Sequence, residues 1–105
     1  MGENKTILKE LKKFKKRLEK DFKVEKLILF GSRARGKKGK EVDIDLIIVS
    51  PDFKSLGPLK RSSKMYDYWE IDYGVDFICY TPDEFNERKN RPTIVQHAME
   101  EGIEI

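Results

Sequence analysis

Ile7, Leu8, Leu11, Phe14, Leu18 and Phe22 recur at steps of three and four, the period of one apolar helix face, so the spacing predicts an amphipathic helix from about Asn4 or Thr6 to Asp21. Its other face carries Lys9, Lys12, Lys13, Lys16, Arg17 and Lys20. The pattern then changes. Lys26-Leu27-Ile28-Leu29-Phe30 is a short apolar run ending at Gly31, which reads as a buried strand. Ser32 to Arg35 is long enough for about one helical turn, closed by Gly36. Val42 to Val49 is a near-continuous apolar strand once Asp43 and Asp45 are set aside, and Ser50-Pro51-Asp52 breaks it. Gly57-Pro58 opens a second helix, on which Leu59, Ser62, Met65, Tyr66 and Trp69 are expected to face the sheet. Gly74 precedes a third strand, Val75 to Tyr80. Thr81-Pro82-Asp83-Glu84 then combines a cap, a proline at the first helical position and a capping-box glutamate, with Phe85 packing behind. Pro92 starts a last helix carrying Ile94, Val95, Ala98 and Met99, with Gly102 as its stop before the tail Ile103-Glu104-Ile105.

Helices thus alternate with short strands that read as buried on both faces. The expected architecture is a single α/β (α+β) domain over residues 1–105, a small two-layer sandwich with a mixed sheet of three or four strands and flanking helices. At 105 residues the chain is one domain's worth, burying about two-thirds of its unfolded surface, enough for one core and one cleft. No apolar run approaches the roughly 20 residues of a membrane span, and the Met1-Gly2-Glu3-Asn4-Lys5 start lacks a following apolar stretch, so a soluble, cytoplasmic protein is expected. The single cysteine, Cys79, lies inside the apolar run Val75–Tyr80 and reads as a small hydrophobe rather than a reactive thiol.

Charge is abundant and unevenly placed. Charged residues make up 39% of the chain and the formal net charge is +3. Residues 1–40 carry 15 Lys/Arg against 5 Asp/Glu, whereas residues 41–105 carry 7 against 14. The basic half is suited to an acidic partner or a polyanion. No exposed aromatics interleave the lysines for base stacking, and Glu10 and Glu19 interrupt them, so a solvated helix face is favoured over direct nucleic-acid binding.

The candidate chemistry begins with two aspartates. Side chains alternate along a strand, so Asp43, Asp45, Ile47 and Val49 share one face and Val42, Ile44, Leu46 and Ile48 the other. An Asp-x-Asp on a solvent-facing strand would sit on a face that stays polar. Here the face turns apolar after the carboxylates, which places them where a covered sheet opens into a crevice. Two like charges so close repel, and a cation is their natural complement. Asp76 repeats the arrangement on another strand, sharing its face with Ile78 and Tyr80. Hard oxygen donors with no His or Cys nearby in sequence favour Mg²⁺ or Mn²⁺ over zinc. The competing structural role for Asp76 is an ion pair with Arg33 or Arg35.

Gly31-Ser32 supplies a complementary half: glycine lets the backbone close on a phosphate, serine adds a hydroxyl, and the amides of the following turn favour anions. Arg33 or Arg35 can add a forked donor for phosphate oxygens. The turn has no Walker lysine and is not a dinucleotide fingerprint.

Taken together, Gly31-Ser32, Asp43-Ile44-Asp45 and Asp76 resemble the minimal nucleotidyltransferases of the DNA polymerase β-like nucleotidyltransferase superfamily, and the fuller Gly-Ser-Arg-Ala-Arg-Gly string of residues 31–36 matches their small prokaryotic members. The resemblance spans nearly the whole chain. It implies the nucleotidyltransferase fold and transfer of a nucleotidyl group, most often AMP from ATP, with two Mg²⁺ ions (or Mn²⁺) held by Asp43, Asp45 and Asp76. Gly31, Ser32, Arg33 and Arg35 then become nucleotide-binding residues. Many minimal members are antitoxins paired with a HEPN-domain ribonuclease toxin, and some attach AMP to a toxin tyrosine, so a HEPN-type protein partner is expected beside ATP or another NTP. One departure is Val42, where many relatives place Ser, a position that is not a metal ligand. The rival expectation is a non-catalytic module that neutralises a partner by binding alone and keeps nucleotide affinity as a remnant. The lone His97, next to Ala98 and Met99, reads as a helix-packing residue, and Tyr66, Tyr68 and Trp69 as core or interface residues rather than a nucleobase platform.

Overall fold

The computed structural model describes residues 2–31, 33, 34, 36, 43–90, 96 and 100–105. The expected helix from Pro92 through Ile94, Val95, His97, Ala98 and Met99 therefore falls largely outside the described residues, as do Ser32, Arg35 and Val42.

Helix α1 spans Gly2–Leu18. It starts earlier than the spacing predicts and ends sooner, because the chain tightens after Leu18: the Asp21 and Phe22 amides both donate to the Leu18 carbonyl, at 3.0 and 2.8 Å. Its apolar stripe of Ile7, Leu11, Phe14 and Leu18 is fully buried. Lys5, Lys9, Lys12, Lys13 and Lys16 are exposed, and at about 100° per residue they form a cationic stripe opposite that core face.

Strands β1 (Lys26–Phe30), β2 (Ile44–Val49), β3 (Val75–Tyr80) and β4 (Ile103–Glu104) form one mixed sheet in the order β3-β2-β1-β4. β1 runs antiparallel to β2 and to β4, while β2 and β3 are parallel. The short C-terminal tail is thus the second edge strand. The sheet's two faces carry separate cores. Ile44, Leu46 and Ile48 join the α1 stripe, Phe53, Met65 and Phe77 on one side, whereas Ile28, Ile47 and Val49 close over Phe85 on the other. This is the small α/β sandwich the alternation predicts. Among the described residues, no helix is long and apolar enough to cross a membrane.

Ser50 caps a short 3-10 helix, Pro51–Ser55, after β2. Helix α2, Pro58–Tyr66, then lies along the outer edge of β3 and satisfies its outward carbonyls. Tyr66 Oη donates to Val75 O at 2.7 Å, Ser62 Oγ to Phe77 O at 3.4 Å and Arg61 Nη1 to Cys79 O at 3.3 Å. A bare strand edge is a template for unwanted pairing, and this ladder of side-chain donors covers it. The face that α2 turns inward carries Arg61 and Met65 rather than Leu59, which is 86% exposed, contrary to the expected helix face. Arg61 is buried because its donors are met. Nε bonds the Phe53 and Leu56 carbonyls at 3.0 and 2.8 Å, and Nη1 bonds Glu84 Oε1 at 2.7 Å. Helix α3, Pro82–Arg88, opens with the full capping box of Thr81 and Glu84 that its sequence predicts.

Candidate active site

One end of the sheet collects the residues singled out by their chemistry. β1 arrives there and turns at Gly31, while β2 and β3 both depart from it. The register pairs Phe30 with Asp45 and Asp45 with Asp76, so the Gly31 turn and two carboxylates stand on three adjacent strands, each roughly 4.8 Å from the next. Paired residues of parallel strands project to the same face, and Asp43 lies two positions before Asp45 on that face. The face then turns apolar: Ile47 and Val49 are buried while Asp45 is half-buried and Asp43 and Asp76 are exposed. The acids therefore sit at the mouth of a covered sheet, with Ile78 and Tyr80 packed further along the Asp76 face.

The backbone makes room for these carboxylates at two glycines. Gly31 has φ of +74°, in the left-handed region, and a Cβ there would collide with Asp45 Oδ2. A Cβ at Gly74 would fall 2.5 Å from Asp43 Oδ1. Such seats fit an arrangement in which carboxylate oxygens must be held at fixed points rather than left to swing in solvent. Among the described residues, no three Asp, Glu, His or Cys side chains form a ready-made metal cage. Mg²⁺ rarely uses one: it is ordinarily bound through one or two carboxylates together with substrate phosphates and water, and an all-oxygen donor set of this kind fits it.

Among the described residues Arg33 is the largest fully buried side chain, 1% exposed, and its guanidinium lies over the Tyr73 ring at 4.7 Å from the centroid. This placement suits it to holding the turn rather than to projecting a free fork at a ligand. Ser32 and Arg35, the other expected nucleotide-binding side chains, lie outside the described residues. Tyr73 and Gly74 were not singled out by the sequence, in which Gly74 marks only the start of a strand. A glycine immediately before a buried strand signals close backbone approach as readily as a boundary.

Trp69 packs edge-on against Phe14 and Phe77 at 5.1 and 5.6 Å, and Tyr66 against Phe77 at 4.9 Å. The Tyr68 ring meets Phe22 at 5.9 Å while its hydroxyl donates to Asp21 Oδ2 at 2.6 Å. Tyr68 and Trp69 pack against the main core, whereas Tyr66 lies half exposed over Phe77. Burial pushes the Cys79 thiol up to about 12, so it stays protonated near neutrality and behaves as a hydrophobe.

Two clefts lie at the opposite end of β2 and β3. One, of about 440 Å³, is lined by Pro51, Lys54, Arg61, Thr81, Pro82, Asp83 and Glu84. The other, of about 250 Å³, runs between α2 and β3 past Ser62 and Cys79. Their central charged groups are already committed to each other. The Arg61 hydrogen bonds, with help from the Thr81 amide, hold the Glu84 carboxyl below its usual value of 4.5. Neither of these two clefts is lined by the carboxylates or the Gly31 turn. The carboxylate end is the stronger candidate because it alone joins paired acids to a turn able to approach a phosphate.

Comparison with known proteins gives three concordant results. The family model for the nucleotidyltransferase domain matches residues 11–105. A Methanocaldococcus jannaschii protein named as a candidate protein adenylyltransferase is 33% identical over 69 residues, covering 66% of this chain and 69% of that protein. The crystal structure of a candidate nucleotidyltransferase from Sulfolobus solfataricus shares the fold with a TM-score of 0.68 at 22% identity, over 99% of this chain and 89% of that one.

Proposed function

Because the chain belongs to the nucleotidyltransferase domain family and is an enzyme of that class, we propose that it transfers AMP from ATP, with Mg²⁺, to a tyrosine hydroxyl of a HEPN-type ribonuclease toxin and so acts as its antitoxin. The observation that carries the catalytic reading is the register that sets Asp45 beside Asp76 and packs Gly31 against Asp45. The adenylyl group and the protein acceptor are supported by the name of the Methanocaldococcus relative. The toxin partner rests on the motif resemblance alone.

In this reading Asp43 and Asp45 hold the metal ions and Asp76 completes the site nearer the acceptor. Mg²⁺ held there would supply charge neutralisation of the triphosphate and activation of the acceptor hydroxyl. Gly31 and Ser32 present backbone and hydroxyl donors to the β- and γ-phosphates, with Arg35 as a forked donor and Arg33 fixing the turn from within. The acceptor oxygen attacks the α-phosphorus in line, the bond from that phosphorus to the β-phosphate bridging oxygen breaks, and pyrophosphate leaves. Asp76 takes the acceptor proton. Positioning and preorganised charge supply most of the acceleration in phosphoryl chemistry of this kind.

The test is to incubate the purified chain with α-labelled ATP, Mg²⁺ and the protein encoded beside it, then to follow label and intact mass. AMP on a partner tyrosine, lost when Asp43 becomes Asn, is the expected result. Suppression of the partner's ribonuclease activity by Asp43→Asn as well as by wild type, with no AMP on the partner, would establish neutralisation by binding instead.

A further inference from the structure

Gly74 is a glycine that its own backbone does not require. Its φ lies outside the left-handed region, its position before β3 is open to any residue, and what a side chain would meet there is the carboxylate of Asp43, with Oδ1 at 2.5 Å and Cγ at 3.3 Å from a Cβ. The same residue begins the parallel ladder, its carbonyl accepting from the Ile44 amide at 2.9 Å. Gly74 therefore touches β2 on both sides of the Asp43–Ile44 peptide, through a backbone hydrogen bond and through the surface on which the carboxylate rests.

The preceding residue reaches the other half of the site. The Tyr73 ring carries the buried Arg33 guanidinium, which belongs to the Gly31–Gly36 turn. Tyr73 is fixed in turn: its amide donates to Ile71 O at 2.9 Å, and its carbonyl accepts from Trp69 Nε1 at 3.1 Å. Trp69 is wedged between Phe14 and Phe77, so the joint is referenced to the main core rather than to solvent. A dipeptide anchored in the core thus bears on the turn proposed to hold phosphate with one residue and on an acid proposed to hold metal with the next.

Resting on the nucleotidyl-transfer reading above, we propose that Tyr73 and Gly74 are positioning residues of the active site, Gly74 setting the Asp43 carboxylate and Tyr73, through Arg33, setting the phosphate turn. Together they hold the separation between metal and triphosphate that in-line transfer needs. The division of labour distinguishes this from a merely structural role. A structural role predicts that both residues matter to stability and that metal and nucleotide binding weaken together. A positioning role predicts that the two separate at Tyr73, whose loss weakens nucleotide binding and spares metal binding, while loss of the Gly74 seat weakens metal binding.

The experiment uses the full chain as wild type, Gly74→Ala, Tyr73→Leu and Tyr73→Phe. Three readouts apply: melting temperature, Mn²⁺ titration followed by paramagnetic broadening of backbone amide resonances, and calorimetry of Mg–ATP. Gly74→Ala displaces only the far end of an exposed side chain, so its melting temperature stays within about 3 °C of wild type. The Mn²⁺ concentration for half-maximal broadening near β2 should rise about tenfold or more, the usual scale for losing a group that orients a metal ligand. Tyr73→Leu should leave the Mn²⁺ titration unchanged and weaken Mg–ATP about tenfold, by the same scale, with Tyr73→Phe restoring it because the ring is retained. Wild-type Mn²⁺ affinity in Gly74→Ala, or Mn²⁺ and Mg–ATP affinities falling in parallel in both variants, overturns the inference while leaving nucleotidyl transfer intact. If wild type itself binds neither Mn²⁺ nor Mg–ATP, the transfer reading fails first and this inference falls with it.

Discussion

Replacing Gly31 by alanine should damage stability and nucleotide binding by separable amounts. The residue has φ of +74°, and holding an L-residue in the left-handed region costs about 1 kcal/mol. The added methyl also collides with Asp45 Oδ2. Asp45 is half-buried, so its side chain must leave its rotamer at about another 1 kcal/mol. A loss of about 2 kcal/mol lowers the melting temperature of a domain this size by about 10 °C and leaves it folded at 25 °C, because typical domains have at least about 5 kcal/mol in hand. The displaced carboxylate no longer faces Asp76, and forfeiting about 1.4 kcal/mol of metal-mediated contact weakens Mg–ATP about tenfold. Gly36 and Gly74 provide the dissection. Gly36 has φ of +93° with nothing within 4 Å of a would-be Cβ, so Gly36→Ala reports strain alone, about half the thermal loss of Gly31→Ala. Gly74→Ala reports carboxylate displacement alone. Differential scanning calorimetry and Mg–ATP titration on the three variants check the arithmetic. A Gly31→Ala protein with the melting temperature of Gly36→Ala and the Mg–ATP affinity of wild type would show that the methyl displaces nothing that matters and that Asp45 is not seated against Gly31.

Asp76→Asn should retain much of the Mg–ATP affinity and lose transfer, since the proposed mechanism puts Asp76 on the acceptor side of the site. A lowered melting temperature with residual turnover per folded molecule would instead assign it to an ion pair. Acid sensitivity should trace in part to Glu84, whose folded value lies below 4.5 because Arg61 and the Thr81 amide stabilise the charged form. Its contribution is present above the unfolded value and is lost as pH falls through the folded one, so a melting series from pH 6 downward should flatten in Glu84→Gln. An unchanged acid limb contradicts that assignment. The lysine stripe of α1 should steer a partner through electrostatics that salt screens, so Lys9→Gln/Lys12→Gln/Lys16→Gln should slow association at low salt and differ little from wild type near 0.5 M; stopped-flow association rates equal at both salts would contradict this.

Most of the fold is legible in the chain because its signals are local. The Asp-x-Asp face of β2 shows itself by turning apolar at Ile47 and Val49, and the Thr81–Glu84 capping box announces α3 to the residue. Leu59 is where local reading fails. Its helical partners Ser62, Met65 and Tyr66 suggest an inward face centred near them, but the buried face is rotated toward Arg61, a charge that no hydrophobic pattern marks as interior. Arg61 can turn inward only because carbonyls of Phe53, Leu56 and Cys79 and the carboxylate of Glu84 meet it, and two of those partners, Cys79 and Glu84, are distant in sequence. The pairing of Ile103–Glu104 with β1 is hidden for the same reason. At the candidate site the acids and the Gly31 turn are legible as types and spacing. The contacts of Tyr73 and Gly74 are not, because both depend on which loop comes to rest against Arg33 and Asp43 after folding.

In the proposed function, Asp43 and Asp45, set beside Asp76 and the Gly31 turn, form one metal–nucleotide site. Isothermal calorimetry of Mg–ATP with wild type, Asp43→Asn and Asp45→Asn tests it most directly, with circular dichroism showing that all three are folded. Measurable binding to wild type and its collapse in both variants are expected, since each variant keeps its shape and loses one ligand charge. Unchanged Mg–ATP affinity in both variants would contradict a shared site.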